Sequence, residues 1–354
     1  MNVEHIIDMA RQVGASDVHL VCGLPVKFRV NGHLVNAGVD GDAPLTHEAC
    51  EHLARDLAGQ DYAHIERSGE LDRADTIAGV RVRINLFRQQ GHVSAALRLL
   101  SDVIPPLETL GLPPAVMDFP KIQRGIVVVT GETGSGKSTT LAALIDTINH
   151  TRAENIITME DPIEYVHRHE GCIVTQREIP SDVATYAEAL RSAMREAPDV
   201  ILLGEMRDQE TIGTAMTAAE MAQLLFSTLH TTGASSTVDR IIDAFPANQQ
   251  RQIRMQLSLV LQAVVSQQLV PTVDGGIVPV FEIMTATPAI RNLIREEKTH
   301  QIDSVIASSA GAGMRTMDQS LHRLVKEGTI SKEVALQHAI HQEALKKRFE
   351  TEGM

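Results

Sequence analysis

The run Gly125-Ile126-Val127-Val128-Val129-Thr130-Gly131-Glu132-Thr133-Gly134-Ser135-Gly136-Lys137-Ser138 decides the fold. It opens as a continuous apolar stretch without alternation, the pattern of a strand buried on both faces. Its last eight residues satisfy G-x-x-x-x-G-K-[ST] in full. The glycines let the loop wrap closely, so that backbone N–H groups point at a phosphate. Lys137 supplies a compact positive charge between β- and γ-phosphates, and Ser138 offers a hydroxyl to Mg2+. The helical pattern from Lys137 to about Asn149 adds the positive end of its dipole. Gly131, Glu132, Thr133, Gly134, Ser135, Gly136, Lys137, Ser138 and Thr139 are therefore the expected cradle, with ATP and Mg2+ as its expected ligands. The competing reading is a glycine loop without ligand, and the flanking strand and helix argue against it.

Downstream, apolar strands recur at 156–159, 200–203 and 224–228 with helical stretches between them. Such alternation implies a parallel sheet in an α/β core. Ala197-Pro198-Asp199-Val200-Ile201-Leu202-Leu203-Gly204-Glu205 is an apolar strand ending in an acid, the Walker B arrangement, which sets Glu205 beside the metal with Ser138. An exposed acid at a strand end is the bland alternative. Met159-Glu160-Asp161-Pro162-Ile163-Glu164 clusters carboxylates behind another strand. Hydrolysis needs a carboxylate to orient or deprotonate water, and Glu164 is the first choice for this, Glu160 the second. A solvated acidic turn accounts for the same residues. The strand at 224–228 runs into His230, at the edge where open α/β sheets bind ligands, so its imidazole could sense a γ-phosphate. A loop histidine without function is the alternative there.

Upstream, apolar residues at 3, 6, 7, 10 and 13 make a helix that stops at Gly14. Val26, Phe28 and Val30 alternate with polar residues before Asn31-Gly32, a type I′ hairpin signal. A second alternating run spans 80–85 and passes through Gln90-Gly91. Residues 1–101 thus read as a small α+β domain with antiparallel strands. Five prolines at 105, 106, 113, 114 and 120 mark 102–120 as a linker, 121–285 is the ATPase core, and 286–354 is a helical C-terminal region opened by Thr287-Pro288.

The formal net charge of −13 over 354 residues opposes a protein dedicated to coating nucleic acid. Cys22, Cys50 and Cys172 match no zinc-ligand spacing and suit a reducing compartment. There is no signal segment and no apolar run of the roughly 20 residues a membrane span needs, so the chain reads as cytoplasmic.

Together these elements resemble the secretion ATPase superfamily, and within it the PilT family of type IV pilus retraction motors. Ala15-Ser16-Asp17-Val18-His19-Leu20 and Arg29-Val30-Asn31-Gly32 look like the opening of the family's N-terminal domain. Residues 158–165 resemble its aspartate box, and Thr228-Leu229-His230-Thr231-Thr232 its histidine box. Ala289-Ile290-Arg291-Asn292-Leu293-Ile294-Arg295-Glu296 resembles the C-terminal motif tied to retraction. The resemblance implies a RecA-like P-loop NTPase core behind a PAS-like N-terminal domain. It raises Glu164, Glu205 and His230 above their bland readings. It implies nucleotide-directed roles for Arg83 and Arg98, which could equally be solvated strand residues. It also implies a homo-hexamer, an inner-membrane pilus platform protein as partner, docking at the inner-membrane face, and a second retraction ATPase that could share the ring. Three departures stand out: Glu132 replaces the P-loop proline, Met221-Ala222-Gln223 replaces the opening Thr-Gly-His of the histidine box, and Ala197 precedes Pro198. The family's assembly motors carry a longer N-terminal region and a four-cysteine zinc site, features whose lack here favours retraction over extension.

The leading expectation is a Mg-dependent ATP hydrolase acting as a ring-forming retraction motor. The alternatives are an accessory, weakly hydrolysing subunit, consistent with Gln223, and a RecA-like nucleic-acid translocase, which the acidic balance opposes.

Overall fold

The computed structural model describes residues 2–100 and 103–353. The boundary expected between residues 101 and 102 lies outside the described residues. Chain contacts separate two units, the first comprising the described residues up to Val103 with Pro162–Val166, the second comprising Ile104–Asp161 and the described residues from His167 on.

In the first unit Asn2 caps α1 (Val3–Gln12) by accepting from Glu4 N, and the helix buries Val3, Ile6, Ile7 and Ala10 at helical spacing. Then follow β1 (Asp17–Leu20), β2 (Lys27–Val30), β3 (His33–Asn36), α2 (His47–Ala58), α3 (Tyr62–Ser68), β4 (Glu70–Ile77), β5 (Val80–Gln89) and β6 (His92–Leu99). The strands form an antiparallel sheet in the order β3-β2-β1-β6-β5-β4. Two-residue turns at Asn31-Gly32 and Gln90-Gly91 place both residues at positive φ (49° and 80°, 49° and 82°), the geometry whose twist matches the flanking strands. One face of the sheet packs Val18, Phe28, Ile84, Leu86 and Leu97 against Ile6, Leu53 and Leu57 of the helices.

The second unit runs through α4 (Pro114–Met117), β7 (Gly125–Thr130), α5 (Lys137–Thr151), β8 (Asn155–Glu160), β9 (Ile173–Glu178), α6 (Tyr186–Ala193), β10 (Val200–Leu203) and α7 (Gln209–Glu220). It continues with β11 (Leu224–Leu229), α8 (Ala234–Asp243), α9 (Ala247–Val260), β12 (Leu261–Pro271) and β13 (Ile277–Thr285). The helices α10 (Pro288–Arg295), α11 (Ile302–Ser308), α12 (Met317–Lys326), α13 (Lys332–His338) and α14 (Gln342–Thr351) complete it. Its sheet has the order β13-β12-β7-β11-β10-β8-β9, parallel except for the β12–β13 hairpin. Alternate residues of β7 serve two cores: Ile126 and Val128 face the side of α7, α8 and α9, while Val127 and Val129 face the side of α5. This double burial is why the central strands read as unbroken apolar runs.

The proline-rich stretch expected as a linker is not a free tether. Leu107, Val116 and Phe119 are buried in the same core as Val127, Val129 and Leu141. The prolines sit where short turns tolerate them, Pro114 in the first turn of α4, and the turns hold apolar residues against the sheet.

The segment read as a retraction motif forms α10, capped by Thr287 and buried through Ile290 and Ile294. Arg291 reaches back to the end of α9: its Nη1 donates to Ser258 O at 2.6 Å and Leu259 O at 3.0 Å, and its Nη2 to Gln262 Oε1 at 3.2 Å. A cation on last-turn carbonyls satisfies orphan acceptors and the helix dipole together. Arg291→Ala is therefore expected to lower stability by about 1–2 kcal/mol, seen as an earlier urea midpoint. A midpoint equal to the parent's would remove this clamp from the account.

Candidate nucleotide site

Parallel strands deliver their carboxyl ends to one edge of the sheet, and the candidate residues are spread along it. β7 ends in the glycine loop, its neighbour β11 ends just before His230, β10 ends two residues before Glu205, and β8 ends in Glu160. The ladders pair Thr130 with Leu229, and Leu203 with both Ser227 and Met159, so the ends of β7 and β11 are level and those of β10 and β8 fall within two residues of them. With strands about 4.8 Å apart, the loop and Glu205 are about 10 Å apart along the edge.

The loop is closed around its lysine. Lys137, 9% exposed, donates from Nζ to Gly131 O and Glu132 O, both at 2.8 Å. Gly131 (φ 142°) could not be another residue, since a Cβ there would lie 2.2 Å from Gln267 O. Gly136, at φ 88°, would bring a Cβ to 2.7 Å from Gln267 Nε2. Ser135 Oγ is buried without a hydrogen-bond partner, and so is Thr130 Oγ1 at the foot of the loop. Unpaired polar atoms in a glycine-lined cradle are what a phosphate would satisfy. Glu132 is exposed, and its carbonyl faces Lys137.

Glu205, on a side chain 15% exposed, meets Arg207 Nε at 2.7 Å and His230 Nε2 at 3.4 Å. The hydrogen bond and charge of Glu205 raise the Arg207 guanidinium above its ordinary value. Gly204 lets the Tyr186 hydroxyl pack closely, because a Cβ there would sit 2.7 Å from it. Burial pushes that hydroxyl up, and Asp161, Glu205 and Glu160 add to the effect, so Tyr186 stays a neutral donor amid carboxylates. Glu160 accepts from Thr158 Oγ1 at 2.7 Å and Gln176 Nε2 at 3.2 Å. Among the described residues no group of three or more His, Cys, Asp or Glu is arranged to hold a metal. The hydroxyl of Ser138 and the carboxylate of Glu205 nevertheless fit Mg2+, which takes one or two protein oxygens and fills its octahedron with phosphate and water.

The remaining sequence candidates belong to the first unit. Glu164 lies in the Pro162–Val166 segment, where Ile163 O accepts from Arg81 Nε at 3.2 Å. Arg83 Nη2 pairs with Asp72 at 3.3 Å, and Arg98 Nε with Asp17 at 3.1 Å; Arg29 also reaches Asp17, at 3.5 Å. A cavity of about 260 Å³ lies between these pairs, lined by Asp17, Asp72, Arg83, Asn85 and Arg98.

Sequence reading missed Gln267, Tyr186 and Arg207. Gln267 is 4% exposed on β12, accepts from Thr140 Oγ1 at 2.9 Å, and braces both glycine bends of the cradle. A glutamine inside an apolar run was its only signal. Gln223 precedes β11 while His230 follows it, so the two stand at opposite ends of a strand, about 20 Å apart. Gln223 O accepts from Gly125 N at the far edge of the sheet, where its side chain cannot meet a ligand of the cradle.

The chain is similar over almost its whole length to known proteins. It is 44% identical over 341 residues to the type IV pilus retractation ATPase PilT of Pseudomonas aeruginosa, covering 96% of this chain and 98% of that protein. The type IV pilus ATPase PilU of the same organism is 39% identical over 342 residues, covering 96% and 89%. A crystal structure of the pilus retraction motor PilT with bound ADP superposes with a TM-score of 0.92 at 43% identity, covering 98% of this chain and 99% of that one. The family model for type II/IV secretion system proteins matches residues 1–337, and the chain belongs to that family.

Proposed function

We propose that this chain is a Mg-dependent ATP hydrolase that works as a homo-hexameric motor and drives type IV pilus retraction. The observation that carries the reading is a complete glycine cradle with a buried lysine, in a chain that matches a retraction motor end to end. The cradle of residues 131–139 takes the phosphates through backbone N–H groups, and Lys137 leaves its two carbonyls to neutralise β- and γ-oxygens. Ser138 would hold Mg2+ and Glu205 would do so directly or through water, and the ion would supply charge neutralisation at the phosphates. Glu164 takes the proton of the attacking water, with Glu160 second in line, and His230 reads the γ-phosphate beside Glu205. Arg83 and Arg98 leave Asp72 and Asp17 to meet phosphate charge as it develops. Loss of the γ-phosphate changes the closure of the site, and the ring converts this to motion against an inner-membrane platform protein.

Among the described residues no helix is long and apolar enough to cross a membrane. We place the motor in the cytoplasm at the inner-membrane face, with a second retraction ATPase as a possible companion in the ring and no nucleic acid in its work. The accessory, weakly hydrolysing alternative drew on Gln223, and that residue is remote from the cradle.

Two measurements test the proposal. The purified chain should turn over ATP alone, and cells lacking it should be hyperpiliated and unable to twitch. Normal retraction in such cells would refute the motor role, and a pure chain without turnover would refute autonomy.

A further inference from the structure

The β12–β13 hairpin carries polar residues on both faces, and those on the side away from the cradle are unexplained by nucleotide binding. Glu282 of β13 is 2% exposed, opposite Ser266 of β12 in the ladder. Its Oε1 accepts from Ala234 N at 2.7 Å, the first residue of α8, and its Oε2 accepts from Met317 N at 3.1 Å, the first residue of α12. Ser266 Oγ accepts from Gly233 N at 3.0 Å, just before α8. One buried carboxylate therefore closes the amino ends of two ten-residue helices, which favour negative charge there. Only Thr231, Thr232 and Gly233 separate His230 from α8. The turn between α13 and α14 takes part too, since a Cβ on Gly233 would lie 3.4 Å from Ile340 Cδ1, and Asp318 of α12 accepts from Ile340 N at 2.8 Å.

We propose that Glu282, with Ser266, is a positioning residue that fixes the His230 loop and ties it to the C-terminal helices. The inference rests on His230 serving ATP turnover, as proposed above. A buried carboxylate is costly to keep unless its oxygens are satisfied, and here both are spent on helix ends rather than on a counter-charge. Burial pushes the Glu282 carboxyl up, the bonds from Ala234 and Met317 pull it back, and Asp303 and Asp318 add to the rise. Movement of α12 is thus felt at the start of α8, and through it at His230. The retraction-motif helix α10 follows on the same strand.

Glu282→Gln keeps the shape but offers a single acceptor, so one helix end loses its partner. On the full purified chain it should lower kcat about tenfold with KM for ATP changed less than about twofold. Amide exchange should quicken over both 230–237 and 316–320. Added to His230→Ala, it should cost less than about twofold more, because the two act through one group. A kcat equal to the parent's, or losses that multiply, would overturn the proposal. Should Glu282→Gln fail to fold, Ser266→Ala removes only the Gly233 acceptor and should show the same non-additivity, with multiplying losses again counting against it. A parent chain without turnover, or a fully active His230→Ala, sinks the underlying reading of His230 together with this one. An impaired His230→Ala beside an unimpaired Glu282→Gln sinks this one alone.

Discussion

Lys137→Ala is expected to cut ATP turnover by about a thousandfold or more while leaving the chain folded. Lys137 is held inside its own loop, its ammonium shared between two carbonyls and its side chain nearly sealed from water. A cation kept in that place contributes little to folding, because burial offsets what the carbonyls return. Its value lies in meeting a triphosphate, where it replaces those carbonyls by phosphate oxygens in a low-dielectric cradle. Truncation therefore removes both affinity and rate. Calorimetry should find Mg·ATP uptake lost or greatly weakened, while circular dichroism and the melting temperature stay near the parent's. The fold has no reason to fail, since β7 and α5 are anchored by Val127, Val129, Leu141 and Leu144 and not by the lysine. Parental turnover in the alanine variant would refute the site assignment.

What the sequence made legible was what short-range pattern carries. The strands at 125–130 and 200–203 stand where continuous apolar runs place them, because a strand between two helical layers has no polar face to show. The glycine loop was legible because its conformation demands glycine: Gly131 is closed to a Cβ by the Gln267 carbonyl, and Gly136 holds a φ of 88°. Gln267 and Glu282 were not legible. Each is a single polar residue in an apolar strand, and its partner is far off in sequence: Thr140 for the one, Ala234 and Met317 for the other. Tyr186 was hidden likewise, its neighbours being a glycine and carboxylates from two other segments. Proline crowding suggested a tether between domains, yet prolines in short turns proved compatible with burying Leu107 and Phe119. The lost histidine at Gln223 looked catalytic in sequence because box membership does not tell which end of a strand a residue occupies.

Glu205→Gln is expected to retain Mg·ATP binding within about tenfold and to lose turnover by about a hundredfold or more. The glutamine matches the carboxylate in size, so the packing of Gly204 against Tyr186 is untouched. What changes is charge. Glu205 now balances Arg207 at 2.7 Å and stands 3.4 Å from His230; without it, Arg207 loses its anion and His230 the partner that orients it. Lys137 and the loop amides still hold the phosphates, which is why affinity survives while the arrangement beyond the γ-phosphate does not. Glu164→Gln measured in parallel divides the labour of the two acids. Glu164 lies in a segment that packs with the first unit, where Arg81 holds the carbonyl of Ile163. If Glu164 is the base, its variant should bind nucleotide as the parent does, need no more Mg2+ than the parent, and lose turnover. Glu205→Gln should instead require more Mg2+ to saturate, as expected if that group holds the ion. Normal turnover in either variant would strip that residue of its role, and exchanged signatures would swap the two assignments.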